Sequence, residues 1–185
     1  MTTKSSSLSA FERLEVFDTT SDALNVIIDT PAGSRNKYKY DERYGLFTLH
    51  SILPLGIVFP FNFGYVPSTL GGDGDPLDVL VLLDVEAFVG CLIPSRLIGV
   101  IEAEQTVNGE TMQNHRLIAV ATVSPYHRDI HALNQIDKKV IDEIEHFFIS
   151  YTSMRGKLFT PTGRANGERA KQLVDEGMAR YKQQK

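Results

Sequence analysis

Asp73-Gly74-Asp75-Pro76-Leu77-Asp78-Val79 runs straight into Leu80-Val81-Leu82-Leu83, so three carboxylates within six residues stand at the mouth of the most apolar stretch in the chain. The apolar run predicts a strand over Val79–Val85 that is buried on both faces. Crowded acids raise one another's pKa unless a counter-charge is near. A hard divalent cation relieves that cost, and Mg²⁺ in particular takes oxygen ligands while keeping several waters. Gly74 permits a tight loop and Pro76 stiffens it, which would let the three side chains converge. Asp, Gly and Pro also build solvated turns for purely local reasons, and spacing alone leaves both readings open. An EF-hand does not fit, because its fifth position falls on Leu77 and its sixth, where glycine is required, on Asp78. Zinc is disfavoured because no Cys or His adjoins the acids.

Outward from this strand the chain reads as short β segments. Leu24–Asp29 is rich in β-branched residues and stops before Pro31, and Leu46–Leu49 follows Gly45. Leu97–Glu102 and Leu117–Thr122 complete a set of five. Two helices are expected after them. The first is capped at Asn134 and carries Ile136, Val140, Ile144, Phe147, Phe148 and Tyr151 at helical spacing; the second starts after Asn166 with Ala170, Leu173, Val174 and Tyr181 on one stripe. Strands first and helices last define an α+β plan, a β-barrel flanked by two C-terminal helices.

Composition limits the function. The chain has 185 residues with 42% hydrophobic and 23% charged, which fits one globular domain over residues 11–185 behind a frayed Ser/Thr-rich tail, 1–10. A formal charge of −4 and a pI near 5.7 argue against nucleic-acid binding. No apolar stretch is long enough for a membrane helix, and Met1–Ser9 carries no signal-peptide core. The lone Cys91 excludes an internal disulfide, points to a cytoplasmic location, and in its apolar surroundings reads as a buried inert thiol. His127 and His131, on either side of Arg128-Asp129, read as surface-loop residues rather than a metal pair. Lys37, Lys39 and Arg116 supply cations near the acids, the combination a phosphate-handling enzyme needs.

At these residues the chain resembles the family I soluble inorganic pyrophosphatases. The resemblance rests on D-G-D-P-L-D-V at Asp73–Val79, Ile27-Ile28-Asp29-Thr30-Pro31, Asn36-Lys37-Tyr38, the P-F-N-F-G-Y-V-P run at Pro60–Pro67, Leu97–Val100, Arg116–Val120 and His146-Phe147-Phe148, in order and with matching gaps. It implies an OB-like five-stranded barrel and a cytoplasmic, Mg²⁺-dependent enzyme, with Mn²⁺ as an alternative, that splits pyrophosphate into two phosphates, often as a homohexamer. By position it implies metal ligation by Asp73, Asp75 and Asp78, with Asp75 also deprotonating the attacking water. Asp29 falls where the family has a metal-site glutamate. Lys37 matches a phosphate-binding lysine, Arg116 replaces another, and Tyr151 matches a phosphate-binding tyrosine.

Several positions depart from the family. Lys39 stands where an acid is usual and His50 where an arginine is; Phe59 and Phe63 replace tyrosines, and Thr152 replaces a lysine. Asn114 stands at a metal-binding aspartate, with His115 leaving the register open by one and Glu110 the nearest substitute acid; Asn108-Gly109 reads as a hairpin turn. Each lost charge-assisted contact is worth about 1.5–3 kcal/mol. The substitutions therefore admit a non-catalytic descendant that binds metal or phosphate or serves in an assembly, and an enzyme for another phosphoanhydride in a more apolar pocket. They also admit a divergent hydrolase that rebuilds its grip from Lys39, His50 and Arg116.

Overall fold

The computed structural model describes residues 14–184, so the expected tail at 1–10 lies outside the described residues. Among the described residues nine strands form: β1 Leu24–Thr30, β2 Asn36–Asp41, β3 Leu46–Ile52, β4 Asn62–Tyr65, β5 Asp78–Leu82, β6 Leu92–Val107, β7 Glu110–Gln113, β8 Arg116–Ala121 and β9 Leu158–Asn166. Helix α1 spans Lys138–Ser153 and α2 spans Gly167–Gln184. Strands β1, β4, β5, β8 and β6 close into a ring, because β6 pairs with both β8 and β1. This is the five-stranded OB-like barrel. The 16-residue β6 continues past the ring to carry β7 and β9.

The apolar runs are continuous because the sheet is covered on both faces. Val79 and Val81 join one core with Leu117, Ala119 and the α2 residues Ala170, Leu173 and Val174. Leu80 and Leu82 join the other with Ile118, Val120 and the α1 residues Ile141, Ile144 and Phe148. Period-two alternation thus divides one strand between two cores, and each anchors one helix.

Three expectations need correction. Leu46–Leu49 belongs to the separate β2–β3 hairpin, and the fifth ring strand is Asn62–Tyr65, inside the P-F-N-F-G-Y run. Helix α1 is capped by Asp137, whose side chain accepts the Lys139 N–H at 2.8 Å, while Asn134 sits in a preceding 3-10 turn. The helices are not consecutive either, since β9 lies between them. Asn108 and Gly109, both at positive φ, do form the two-residue β6–β7 turn. Gly177, inside α2, is explained by contact: a Cβ there would meet the Leu77 side chain at 2.8 Å, and its carbonyl accepts the Leu70 N–H. The helix therefore clamps both ends of the acidic loop.

Candidate active site

Cleft walls come from the β2–β3 hairpin, the acidic loop before β5, the start of β8 and the C-terminal turn of α1, around about 450 Å³. Strand β2 contributes Lys37 and Lys39, two residues apart and therefore on one face. A bulge opposite Lys37–Tyr38 leaves His50 unpaired in β3 and turns it to the same cleft. The acidic loop is closed by the Gly71 N–H bonding to the Asp75 carbonyl at 2.7 Å, with Gly74 at φ +82. Asp73 accepts the Asp75 N–H at 3.2 Å. Asp29, Asp73, Asp75, Asp78, Asn114, Arg116, Tyr151 and Thr152 all line the same cavity. Glu110 does not, being exposed at the β6–β7 turn.

Of the two neighbours, Asn114 faces the cleft: its side-chain oxygen accepts from Arg116 Nη1, while His115 Nδ1 turns away to accept the Ala103 N–H at 3.1 Å. Arg116 is 4% exposed. Its Nη1 lies 2.8 Å from Asp78 Oδ2, and its guanidinium sits 4.8 Å from the Phe148 ring centroid and 5.1 Å from that of Phe159. Lys39 Nζ lies 2.7 Å from Asp75 Oδ1. The two cations hold two of the three acids in separate pairs. Accordingly, among the described residues no three His, Cys, Asp or Glu side chains are gathered closely enough to hold one metal ion. The expected convergence is not present in this conformation, although the donors remain carboxylate oxygens around one cleft.

Phe59 and Phe63 are fully buried and lie beneath the cleft rather than in its lining, so they do not make it more apolar. Their ring centroids lie 5.2 Å apart with the planes tilted by 40°, and Lys37 Nζ lies 4.7 Å from the Phe63 centroid. A tyrosine hydroxyl at that depth would need its own partner. Thr152 spends its hydroxyl on the Phe148 carbonyl at 2.7 Å, one turn back. Burial, reinforced by the charges of Arg155, Lys37 and Lys39, pushes the His50 imidazole below its usual range. Cys91 is half-buried and its thiol is pushed up by burial, the opposite of an activated cysteine. His127 sits in the β8–α1 loop with Ser124 and Asp84, but both contacts fall on Nδ1, so no hydroxyl-to-carboxylate relay runs through the ring.

Two cations were missed by sequence reasoning. Arg155 and Lys157 reach the cleft from the turn after α1. The available signal was helical spacing, since Arg155 follows Tyr151 by four residues.

Asp29 is 7% exposed at the end of β1 and accepts the Thr30 hydroxyl at 2.6 Å. Burial lifts its carboxyl to about 6, against the opposing pull of Lys37 and of that hydrogen bond. The folded chain therefore holds this proton more tightly than the unfolded one, and metal-free stability falls as pH rises from about 4 to about 6. Asp29→Asn should raise the melting temperature of the metal-free protein near neutral pH, by about 2–3 kcal/mol in stability, and leave it unchanged at about pH 4. Thermal denaturation in chelator at both pH values checks this; an equal shift at both would refute the assigned cause.

With that geometry in place, comparison with known proteins points one way. A family model described as inorganic pyrophosphatase matches residues 26–182. The inorganic pyrophosphatase of Halalkalibacterium halodurans is 39% identical over 159 residues, covering 86% of this chain and 95% of that protein. That of Geobacillus stearothermophilus is 36% identical over 163 residues, covering 88% and 96%. The crystal structure of the Thermus thermophilus inorganic pyrophosphatase superposes with a TM-score of 0.84 at 31% identity, covering 93% of this chain and 98% of that one.

Proposed function

The chain belongs to the inorganic pyrophosphatase family, and from that membership we propose that it hydrolyses pyrophosphate to two phosphates with Mg²⁺ in the cleft described above. The observation that carries the reading is the meeting of Asp73, Asp75 and Asp78 with Lys37, Arg116 and Tyr151 in one cleft. The donor set suits a hard dication: Asp73, Asp75 and Asp78 would hold it, Asp29 and the Asn114 oxygen stand beside them, and among the described lining residues there is no thiolate and a single imidazole, His50. When bound, such an ion supplies charge neutralisation and a more acidic attacking water.

The chain's own groups do the rest. Asp75, with a side chain 59% exposed, is open to solvent and takes the proton of the attacking water. The water oxygen bonds to one phosphorus as that phosphorus parts from the bridging oxygen, which leaves with the second phosphate. Lys37 and the Tyr151 hydroxyl meet the phosphate oxygens, and Arg116 holds Asp78 and Asn114 in fixed orientation. Phosphate release from pyrophosphate by the purified chain, with and without Mg²⁺, tests the reading.

Lys39 has to leave Asp75 before that carboxylate can serve. Both side chains are about half exposed, so the pair is cheap to break. Lys39→Gln should tighten Mg²⁺ binding about two- to fivefold, read by calorimetry without substrate; unchanged affinity would remove Lys39 from the account. We further propose that copies of the chain assemble in the cytoplasm. The exposed Leu46, Leu49, Ile52 and Leu55 support this, as an apolar face that such an assembly would cover.

A further inference from the structure

The cleft's cations divide into two groups. Lys39 and Arg116 each face a carboxylate at ion-pair distance. Lys37, Arg155 and Lys157 line the same cleft and form no ion pair with a carboxylate among the described residues.

Among these three, Arg155 is anchored by hydrogen bonds. Its Nη1 donates to the Tyr151 hydroxyl and, at 3.3 Å, to Ser51 Oγ, and its guanidinium centre lies 5.5 Å from the Tyr151 ring centroid. An exposed arginine otherwise gains rotamer entropy by moving freely in water. Here it is held from two sides, by the last turn of α1 and by β3, through neutral hydroxyls that leave its charge uncompensated. Among the described residues only Nη1 of its guanidinium finds a partner, which leaves the rest of the planar fork to donate. After burial, its charge is the largest cause of His50's lowered pKa, so its field reaches across the cleft wall. An anchored, unpaired guanidinium in a cleft that also holds Lys37 and Lys157 is a receptor for a tetrahedral oxyanion.

We propose that Arg155, presented by Tyr151 and Ser51, is a substrate-contacting residue that grips one phosphate group of pyrophosphate through its open fork. This rests on the pyrophosphate reading above and names a permanently charged group in the cleft that also holds His50 and Thr152. It also assigns Tyr151 a second task, that of orienting Arg155.

The test uses imidodiphosphate, a pyrophosphate analogue with a nitrogen bridge, in Mg²⁺ buffer, with affinity measured by calorimetry. Arg155→Gln should weaken binding about tenfold or more and raise KM for pyrophosphate by a similar factor, with a smaller change in kcat. Arg155→Lys should recover part of the affinity, since it keeps the charge and loses the fork, and the wild-type affinity should fall more steeply with salt than that of Arg155→Gln. Arg155 is exposed, so both variants should keep the wild-type melting temperature. Binding within twofold of wild type in Arg155→Gln, or a wild-type chain that does not bind imidodiphosphate, overturns the proposal. A chain that binds imidodiphosphate through Arg155 yet releases no phosphate from pyrophosphate would sink the hydrolytic reading and leave the anion site standing.

Discussion

Asp75→Asn is expected to lower Mg²⁺-dependent phosphate release from pyrophosphate by about 10²- to 10⁴-fold, the range that a positioned proton acceptor contributes. The amide keeps the volume and one oxygen but cannot take the proton of the attacking water. Fold stability should be unaffected, because the side chain is 59% exposed and its contact with Lys39 is a surface ion pair worth about 0–1 kcal/mol. Loss of turnover without loss of melting temperature therefore separates the chemical role from a structural one. Steady-state phosphate release with thermal denaturation of the same samples makes the measurement. Turnover within threefold of wild type would take Asp75 out of the mechanism.

Arg116→Met should damage stability and activity together. The guanidinium is 4% exposed, bonded to Asp78 and to the Asn114 side chain, and packed over the Phe148 and Phe159 rings. Methionine fills part of the volume but leaves the Asp78 carboxylate and the Asn114 oxygen without their donor. Removing one partner of a buried pair costs about 3–5 kcal/mol, and the partial exposure of Asp78, 23% for its side chain, brings the expectation to about 2–4 kcal/mol. That corresponds to a fall in melting temperature of about 5–15 °C for a chain of this length. Arg116→Lys should lose less stability, since one ammonium can face Asp78 but not reproduce the fork. Adding Asp78→Asn to Arg116→Met should restore much of the lost stability and none of the activity, because the uncompensated charge is gone while a carboxylate proposed to hold the dication is missing. A melting temperature within 2 °C of wild type in Arg116→Met would show that the buried pair is not what holds this corner together.

The parts of this fold that the sequence discloses are those where one segment's chemistry decides its structure. β1, β5 and β8 are apolar on both faces because a core lies on each side, and an uninterrupted hydrophobic run reports that directly. β4 and β9 escape such reading for opposite reasons. Asn62-Phe63-Gly64-Tyr65 is too short, and its glycine resembles a turn. Leu158–Asn166 carries Pro161 and Gly163 and is a strand because the protruding end of β6 offers it an edge far away in sequence. The cleft's three acids were legible because they are neighbours in the chain. The pairing of Lys39 with Asp75 was not, since 36 residues separate them and only the packing of the hairpin against the acidic loop brings them together. Arg155 escaped because its meaning depends on Ser51, in another element 104 residues away. Asn114 and His115 illustrate the limit at finest scale: both lie in the two-residue connection between β7 and β8, where no alternation rule applies, and only the Arg116 and Ala103 contacts say which faces the cleft.

The most direct test of the central claim, that these carboxylates gather dications to split pyrophosphate, is phosphate release by the purified wild-type chain as Mg²⁺ is raised from a chelated baseline. Release should be absent in chelator and climb to saturation with Mg²⁺. Release that ignores chelation, or none at saturating Mg²⁺ and pyrophosphate, would contradict it.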